Sequence, residues 1–304
     1  MYSKLIEKIV TDPKYFSLLG FTLVRSVMSQ DAVGILRKNL DQLFAVENQE
    51  RLLLPRHVLK NPTLRKLPFL PKIVRALKEV LEPRYALWGD FVVQKNSFGR
   101  WHVDSGSEKL QPYLFEKSYR FVKCGIFLQE NSHEWGGGIG VRLFSHKKYN
   151  KIPYRLNDIL YSPFKKMLEH HVIIHPGDFL CFDSRLEHNS RFPAYIPEAQ
   201  RKEGYNPLPE EKAKYVFYFN ACNQASARDF MENTLRRGFC EEYIKKSEEI
   251  FFTDYGSRMF PEDFPKDFIE NVRQTNITVA SPNQWEADIN KIFMEELQKN
   301  ASHQ

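Results

Sequence analysis

The sequence predicts a mainly β protein, a barrel or double-sheet jelly roll, with helical additions at both ends. Short β-prone segments recur between residues 88 and 222, and most of them are bounded by turn residues. Helical patterns lie before and after this part of the chain. No internal repeat or low-complexity linker divides the 304 residues, so we expect one domain. Its expected parts are a mainly helical segment 1–87, a jelly-roll core 88–222 and a helical C-terminal extension 223–304.

The N-terminal part contains one β-like run and two helical patterns. Phe21–Val24 follows Gly20 and is β-prone. Ser29 is expected to cap a helix. That helix has apolar residues at helical spacing, namely Val33, Leu36, Leu40 and Leu43. A second helix is predicted from about Pro71 to Glu82, because proline suits a first turn and Pro83 would stop the helix. Its apolar face consists of Ile73, Leu77 and Val80.

The middle of the chain supplies the predicted strands. They are Trp88–Gln94, Val122–Leu128, Val141–Phe144, Val172–Ile174, Phe179–Phe182 and Tyr215–Phe219. Many short strands with longish loops are typical of a barrel or a jelly roll, and we expect the N-terminal helices to pack against one face of it. In the C-terminal extension, near-helical spacing is shown by Trp285, Ile289, Phe293 and Leu297. Phe251–Pro265 is expected to be an ordered irregular loop.

Composition excludes several classes of protein. Net charge is +6, from 44 basic and 38 acidic residues without basic stripes, which argues against nucleic-acid binding and suits an anionic small molecule. No apolar run approaches the ~18 residues of a membrane span. The four cysteines have no CxxC spacing, so we expect reduced thiols. Glu7 lies where a secretory signal would be apolar, so the expected location is the cytoplasm. The oligomeric state is not indicated.

The pattern with the most chemical content combines His102-Val103-Asp104 with a distant His188. Side chains alternate along an extended chain, so His102 and Asp104 would lie on the same side. The third ligand would then come from another strand. Two imidazoles and one carboxylate are the ligand set of a non-haem iron(II) oxygenase. His-x-Asp alone is a weak signal, and a surface turn is the simpler interpretation. Here it follows a β run, and His188 ends a predicted β-hairpin that begins at Gly177-Asp178.

At these motifs the chain resembles the phytanoyl-CoA dioxygenase family of iron(II) and 2-oxoglutarate oxygenases, over most of residues 18–222. Trp101–Asp104 resembles its metal motif, and Gly177–His188 resembles the hairpin that carries the last ligand. Gly136–Gly138 and Ser145-His146-Lys147 resemble its Gly-Gly…Gly-Ser-His segment, with Phe144 in place of the usual glycine. The resemblance also includes the opening at residues 20–29.

The resemblance implies a double-stranded β-helix in which His102, Asp104 and His188 hold Fe(II). It implies 2-oxoglutarate and O2 as cosubstrates, and a small-molecule substrate with an unactivated C–H bond. Hydroxylation is the default outcome, with release of succinate and CO2. Desaturation or oxidative cyclisation would use the same chemistry.

The resemblance also implies a basic residue that pairs with the far carboxylate of 2-oxoglutarate, normally an arginine. Here the matching position falls on Lys212, with Lys214 as the close alternative, and a lysine lacks the planar two-pronged grip of arginine. Arg191 or Arg201, in the insertion between Ser190 and Lys212, is a further option.

Three more residues are expected at the cosubstrate. They are Ser190 beside the same carboxylate, Gln94 at the other end of the 2-oxo acid, and Phe127 as a wall. Two other functions stay open at this point. One is a non-catalytic jelly-roll protein that binds a metal or ligand, and the other is a cupin-type metal hydrolase or isomerase. The sequence does not identify the substrate.

Overall fold

The computed structural model describes residues 8–89, 91–104, 114, 116, 118–149, 163, 165–197, 201, 204–227 and 264–280. The predicted helical pattern from Trp285 to Leu297 and most of Phe251–Pro265 lie outside these residues. The strands are β1 Phe21–Val24, β2 Leu52–Leu53, β3 Ala86–Trp88, β4 Val92–Lys95, β5 Ser97–Phe98, β6 Phe121–Phe127, β7 Ile139–Arg142, β8 Glu169–Val172, β9 Phe179–Asp183, β10 His188–Ser190, β11 Gly204–Tyr205, β12 Tyr215–Cys222 and β13 Thr278–Ala280. The α-helices are α1 Phe16–Leu19, α2 Gln30–Val46, α3 Pro55–Lys60, α4 Pro71–Val80 and α5 Lys266–Thr275.

Two unequal sheets and a short ribbon make up the β part. The large sheet has the order β1-β9-β6-β12-β3-β13, and β4 joins it by pairing with β12 and β2. The small sheet has the order β10-β7-β8, and β11 pairs with β5. All described pairs are antiparallel except β13 with β3. The prediction of a mainly β protein with helical additions is therefore confirmed.

Strand β9 shows how the large sheet separates two apolar cores. Phe179 and Cys181 belong to the core that includes residues of α2 and α4. Leu180 and Phe182 belong to the core that includes Ile139, Val141 and Val172 of the small sheet. Because successive strand side chains point to opposite faces, a strand covered on both faces is apolar throughout. Helices α2, α3 and α4 pack against one face of the sheet, as predicted for the N-terminal helices.

Helix α2 begins as the sequence predicts. The Ser29 hydroxyl accepts a hydrogen bond from the Ala32 amide at 3.2 Å, which satisfies one of the free amides of the first turn. Its buried residues are Val33, Leu36, Leu40 and Phe44, so Phe44 rather than Leu43 completes the buried face. Helix α4 begins at Pro71, buries Ile73, Leu77 and Val80 as predicted, and ends at Val80 before Pro83 is reached.

Several predicted boundaries are wrong. The predicted strand Trp88–Gln94 is two strands, β3 and β4. The predicted β-hairpin ending at His188 does not form, because β9 pairs with β1 and β6 whereas β10 pairs with β7. The chain therefore crosses from the large sheet to the small sheet between Asp183 and His188. This crossing brings His188 to the space between the two sheets.

The structure also adds elements that the sequence did not predict. Short strands β5 and β11 pair with each other, so the insertion after Ser190 returns to the segment just before the His-x-Asp motif. Helix α5 lies within the predicted helical C-terminal extension, and it buries Phe268 in the helix-side core, where its ring lies 5.5 Å from that of Phe91. Cys124, Cys181 and Cys222 are buried, and Cys240 lies outside the described residues. None of the described helices has the length and apolar character needed to cross a membrane.

Asp178 fastens the turn before β9 to the turn after β1. Its side chain is 2% exposed and pairs with Arg25, and it accepts hydrogen bonds from the amides of Ser26 and His175, each at 2.9 Å. We expect Asp178→Asn to lower the free energy of unfolding by about 2 kcal/mol, because charge-assisted hydrogen bonds would be replaced by neutral ones. Urea unfolding followed by circular dichroism measures the change.

The matched control is Asp12→Asn, which removes a carboxylate from an exposed pair with Lys14. Exposed pairs contribute little, so this variant should unfold like the wild-type protein. A loss in Asp178→Asn no larger than that of the control would contradict the role given to Asp178.

Candidate metal centre

The three predicted ligands meet between the two sheets. His102 and His188 form an isolated antiparallel bridge in which each backbone amide donates to the other residue's carbonyl at 2.9 Å. The Asp104 amide donates to the Ser184 carbonyl at 3.0 Å. The His-x-Asp segment is thus aligned along β10 and the crossing that leads to it. The spacing of two places both ligands on one side, as the alternation predicted.

The ligand atoms of the three side chains are close enough to share one ion. One ligand atom from each of His102, Asp104 and His188 can be chosen so that all lie within 4.8 Å of one another. The Asp104 carboxylate lies 3.6 Å from His102 Nε2 through Oδ1 and 3.7 Å from His188 Nε2 through Oδ2. No other group of this kind occurs among the described residues.

Both imidazoles are oriented by the backbone. His102 Nδ1 lies 2.7 Å from the Arg100 carbonyl, and His188 Nδ1 lies 2.9 Å from the Leu186 carbonyl. A carbonyl oxygen only accepts, so each Nδ1 carries the hydrogen. The lone pair is then on Nε2, which points toward Asp104. Histidine ligands of metal ions are held in this way in many proteins.

The electrostatics of the cluster also suit a cation. Burial opposes ionisation of Asp104, but Lys123 and the two imidazoles outweigh it and hold the pKa of Asp104 well below its ordinary value. Burial lowers the pKa of His188 to about 4, so this imidazole is neutral at pH 7. The Asp104 carboxylate, close to His102 Nε2, raises the pKa of His102 because it stabilises the protonated form of this imidazole. A metal ion would take the place of that Nε2 proton.

One atom of the cluster lacks a hydrogen-bond partner within the described part of the chain. Asp104 Oδ2 is buried and makes no hydrogen bond there. A buried carboxylate oxygen without a partner is costly, because it has lost its hydration without compensation. A metal ion between Asp104 and the two Nε2 atoms would remove that cost. The residues present therefore fit a divalent metal ion such as Fe(II).

An aromatic and ionic cluster supports the two histidines from outside. The Arg142 guanidinium lies 4.1 Å from the centroid of the Trp101 ring and pairs with Glu169 and Glu187. Trp101 precedes His102 and Glu187 precedes His188, so Arg142 connects the neighbours of both ligands. The hydroxyl of Ser145, the serine of the Ser-His-Lys motif, accepts a hydrogen bond from the Glu187 amide at 2.8 Å.

A cavity of about 200 Å³ opens beside the ligands. Its lining combines apolar rings with polar side chains and includes both histidine ligands: Gln94, Ser97, Phe98, Gly99, His102, Lys123, Ile139, Phe182, His188, Ser190, Gly204 and Tyr218. Gln94 and Ser190, two of the predicted cosubstrate residues, are thus in the cavity wall. The Ser190 hydroxyl accepts a hydrogen bond from the Gly99 amide at 2.5 Å and keeps its own proton to donate.

The other predicted cosubstrate residues lie elsewhere. Phe127 is buried between the sheets and packs edge-on against Tyr218, at 6.3 Å between ring centroids. Lys214 is buried and its ammonium donates to the Glu130 carbonyl at 2.5 Å, and burial lowers the pKa of Lys214 to about 8. The Lys212 ammonium lies 5.8 Å from the Trp135 ring centroid. Neither lysine is among the described residues of the cavity wall.

The triple glycine has a structural explanation. Gly136, Gly137 and Gly138 all have positive φ angles, which L-residues with a side chain rarely adopt. A Cβ atom at Gly136 would lie 2.4 Å from the Arg191 carbonyl oxygen. The Gly137 amide donates to that same carbonyl at 2.8 Å. The glycines therefore allow the insertion that follows Ser190 to lie directly on this turn.

Most of the cavity residues were not predicted from the sequence, and two of them carry a charged or phenolic group. Lys123 and Tyr218 both line the cavity, on the neighbouring strands β6 and β12. Lys123 was detectable, because it is the one charged residue in the otherwise apolar or small run Phe121–Phe127. Tyr218 carries no such signal, since aromatic residues are common throughout β12.

Comparison with solved structures gives the fold. The chain matches EctD from S. alaskensis, solved with 2-oxoglutarate and 5-hydroxyectoine, at 15% identity and a TM-score of 0.52, covering 70% of this chain and 76% of that one. It matches HygX from Streptomyces hygroscopicus, solved with nickel and 2-oxoglutarate, at 16% identity and a TM-score of 0.50, with 69% and 85% covered.

A third match is the non-haem α-ketoglutarate-dependent epimerase SnoN of nogalamycin biosynthesis, at 12% identity, a TM-score of 0.50, and coverage of 72% and 84%. The chain shares the fold of these proteins. No family model matches it, and no curated protein matches it significantly.

Proposed function

We propose that this protein is an Fe(II)- and 2-oxoglutarate-dependent oxygenase with a double-stranded β-helix core, of the phytanoyl-CoA dioxygenase type. It oxidises an unactivated C–H bond of a small anionic substrate and releases succinate and CO2. Hydroxylation is the default outcome, and desaturation or oxidative cyclisation are variants of it. The observation that carries the proposal is the convergence of His102, Asp104 and His188 beside an open cavity.

The donor set supports the choice of metal. Two neutral imidazoles and one carboxylate suit Fe(II) and leave the remaining positions for a bidentate 2-oxo acid and for dioxygen. When bound, iron and 2-oxoglutarate supply the oxidising chemistry, since decarboxylation of the 2-oxo acid to succinate accompanies the reduction of dioxygen. The protein itself binds the cosubstrate and the substrate, orients them, and excludes water.

The cavity wall assigns these tasks to particular residues. Ser190 and Gln94 offer hydrogen-bonding groups to the 2-oxo acid. Phe98, Ile139 and Phe182 form an apolar wall next to His188, whose ring lies 4.5 Å from that of Phe182. An apolar wall keeps bulk water away from the reacting carbon and strengthens electrostatic contacts inside the cavity.

The solved structures with this fold support the cofactors. EctD was solved with 2-oxoglutarate and HygX with nickel and 2-oxoglutarate. SnoN is described as an epimerase, so the fold hosts more than one outcome. For this chain the proposed substrate is a small molecule whose structure is not assigned. Its location in the cytoplasm stays a prediction.

Anaerobic titration tests the proposal directly. Adding Fe(II) and 2-oxoglutarate to the protein should produce a weak visible charge-transfer band, which neither component gives alone. Succinate release in the presence of oxygen then separates an oxygenase from a non-catalytic binding protein. Correctly folded protein that gives no band with both components would refute the proposed function.

A further inference from the structure

We propose that Lys123 holds the distal carboxylate of 2-oxoglutarate in this cavity, in place of Lys212 or Lys214. The inference rests on the proposed function and adds the residue that selects a 2-oxo diacid over a 2-oxo monoacid. The observation behind it is the position of Lys123, which lines the cavity and whose ammonium lies 3.3 Å from Oδ1 of the predicted ligand Asp104.

Lys123 lies on a central strand and faces the small sheet. In β6 it stands opposite Phe182 of β9 and Asn220 of β12. Its neighbours Val122 and Cys124 belong to the helix-side core. Strand alternation therefore points Lys123 the other way, into the space between the sheets. A strand in the middle of a sheet is a rigid support for a binding group.

The contacts of Lys123 leave its ammonium able to bind an anion. Its Nζ lies 3.3 Å from Asp104 Oδ1 and 5.3 Å from the centroid of the Tyr218 ring. The next residue on the same face is Gly125, where a Cβ would lie 2.9 Å from Tyr218 Cε1. The absence of a side chain at Gly125 thus lets the Tyr218 ring lie beneath the ammonium. An ammonium has three hydrogen-bond donors, so the contact with Asp104 leaves donors of Lys123 for a ligand.

The charges of the loaded site favour this role. A divalent metal ion and Lys123 together match the single negative charge of Asp104 and the two of 2-oxoglutarate. Without Lys123 the enclosed site would carry excess negative charge, which is costly away from water. Within the described part of the cavity wall, Lys123 is the only lysine or arginine. The ammonium of Lys214 is directed instead at the Glu130 carbonyl.

The test compares two ligands that differ only in the distal group. In 2-oxopentanoate a methyl group replaces the far carboxylate of 2-oxoglutarate, while both keep the end that binds metal. Binding of each is measured by calorimetry on the Mn(II)-loaded protein without substrate. The quantity of interest is the ratio of the two dissociation constants, because an effect of the substitution on the metal itself cancels in that ratio.

Wild-type protein should prefer 2-oxoglutarate by at least about 30-fold, the size expected for a desolvated charge pair. Lys123→Met should reduce the preference to within about threefold, and Lys123→Arg should retain part of it. Lys95→Met is the matched control, since Lys95 is also a strand lysine with an aromatic contact, at 5.4 Å from the Tyr215 ring centroid. It should keep the wild-type ratio. Lys123→Gln replaces Lys123→Met if the latter does not fold.

The outcomes separate this inference from the proposed function. If wild-type protein with Mn(II) binds neither ligand, both fail. If it prefers 2-oxoglutarate and Lys123→Met keeps that preference, the proposed function survives and Lys123 is not the anchor. Loss of the preference in Lys212→Met or Lys214→Met would assign the carboxylate to that lysine and overturn the inference. An unchanged ratio in Lys123→Met is also the result expected if Lys123 binds a carboxylate of the substrate, and it overturns the inference in that case too.

Discussion

Asp104→Ala is expected to lower the affinity for Fe(II) or Mn(II) by more than about 100-fold, since loss of a group that merely supports a ligand already costs about 10- to 100-fold. Asp104 is the only carboxylate in the described ligand cluster, and its Oδ2 is the buried atom without a hydrogen bond. Its removal leaves two neutral imidazoles beside the positive charge of Lys123. The charge-transfer band with 2-oxoglutarate should disappear with the metal.

Calorimetric titration with Mn(II), without 2-oxoglutarate, measures the affinity directly. Asp104→Asn tests the charge alone, because it keeps the shape of the side chain, and it should lose most of the affinity. Asp31→Ala is the control: Asp31 is an exposed carboxylate in the first turn of α2, far along the chain from the cluster, and its loss should not change metal binding. Wild-type affinity in Asp104→Ala would show that the metal, if any, binds elsewhere.

Arg185→Met is expected to lower the free energy of unfolding by about 3–5 kcal/mol, the cost of leaving one partner of a buried ion pair uncompensated. Asp183 is 1% exposed and Arg185 is 5% exposed. The guanidinium donates to both carboxylate oxygens of Asp183, at 2.8 Å from Nε and 2.7 Å from Nη2. Arg185 Nη1 also donates to the Leu114 carbonyl at 3.0 Å. The pair lies in the crossing that carries the chain from β9 to His188, so metal affinity should fall as well.

The effect of Arg185→Met should depend on pH in a definite direction. Burial opposes ionisation of Asp183, but the charge and hydrogen bonds of Arg185 outweigh it, and the pKa of Asp183 is lowered. In wild-type protein this stabilisation is present above about pH 3.9, the usual pKa of aspartate, and is lost as the pH falls through the lower folded value. In Arg185→Met the guanidinium is lost while the burial remains, so the pKa of Asp183 should rise above its wild-type value. The deficit in stability should therefore shrink as the solution is acidified.

Urea unfolding at pH 7 and pH 5 measures both effects. Arg185→Lys keeps the charge but loses the two-pronged geometry, and should be intermediate. Adding Asp183→Asn to Arg185→Met should restore part of the stability, because the uncompensated charge is gone. A deficit that is equal at both pH values, with no rescue by Asp183→Asn, would rule out an electrostatic origin.

Local sequence was sufficient for the features that depend on neighbouring residues. The cap at Ser29 and the start of α4 at Pro71 follow from hydrogen bonds and dihedral angles within one helical turn. Likewise, a spacing of two places His102 and Asp104 on one side of an extended chain. These predictions hold because the physical cause lies within a few residues. The predicted ends of the strands were wrong because a strand ends where its pairing partner ends, and that partner is distant in sequence.

The ligand set of the candidate metal centre and the mainly β fold could therefore be predicted from the sequence itself. Which strand pairs with which was decided only by the tertiary structure: His188 begins a strand of the small sheet instead of closing a hairpin with β9. The same holds for the basic residue of the cavity. The family resemblance places this residue at Lys212 or Lys214, near the start of the strand that follows the last ligand, whereas Lys123 lines the cavity because β6 lies between β9 and β12. A strand's register depends on partners far away in sequence, so the direction of a single side chain on it is set by the whole sheet.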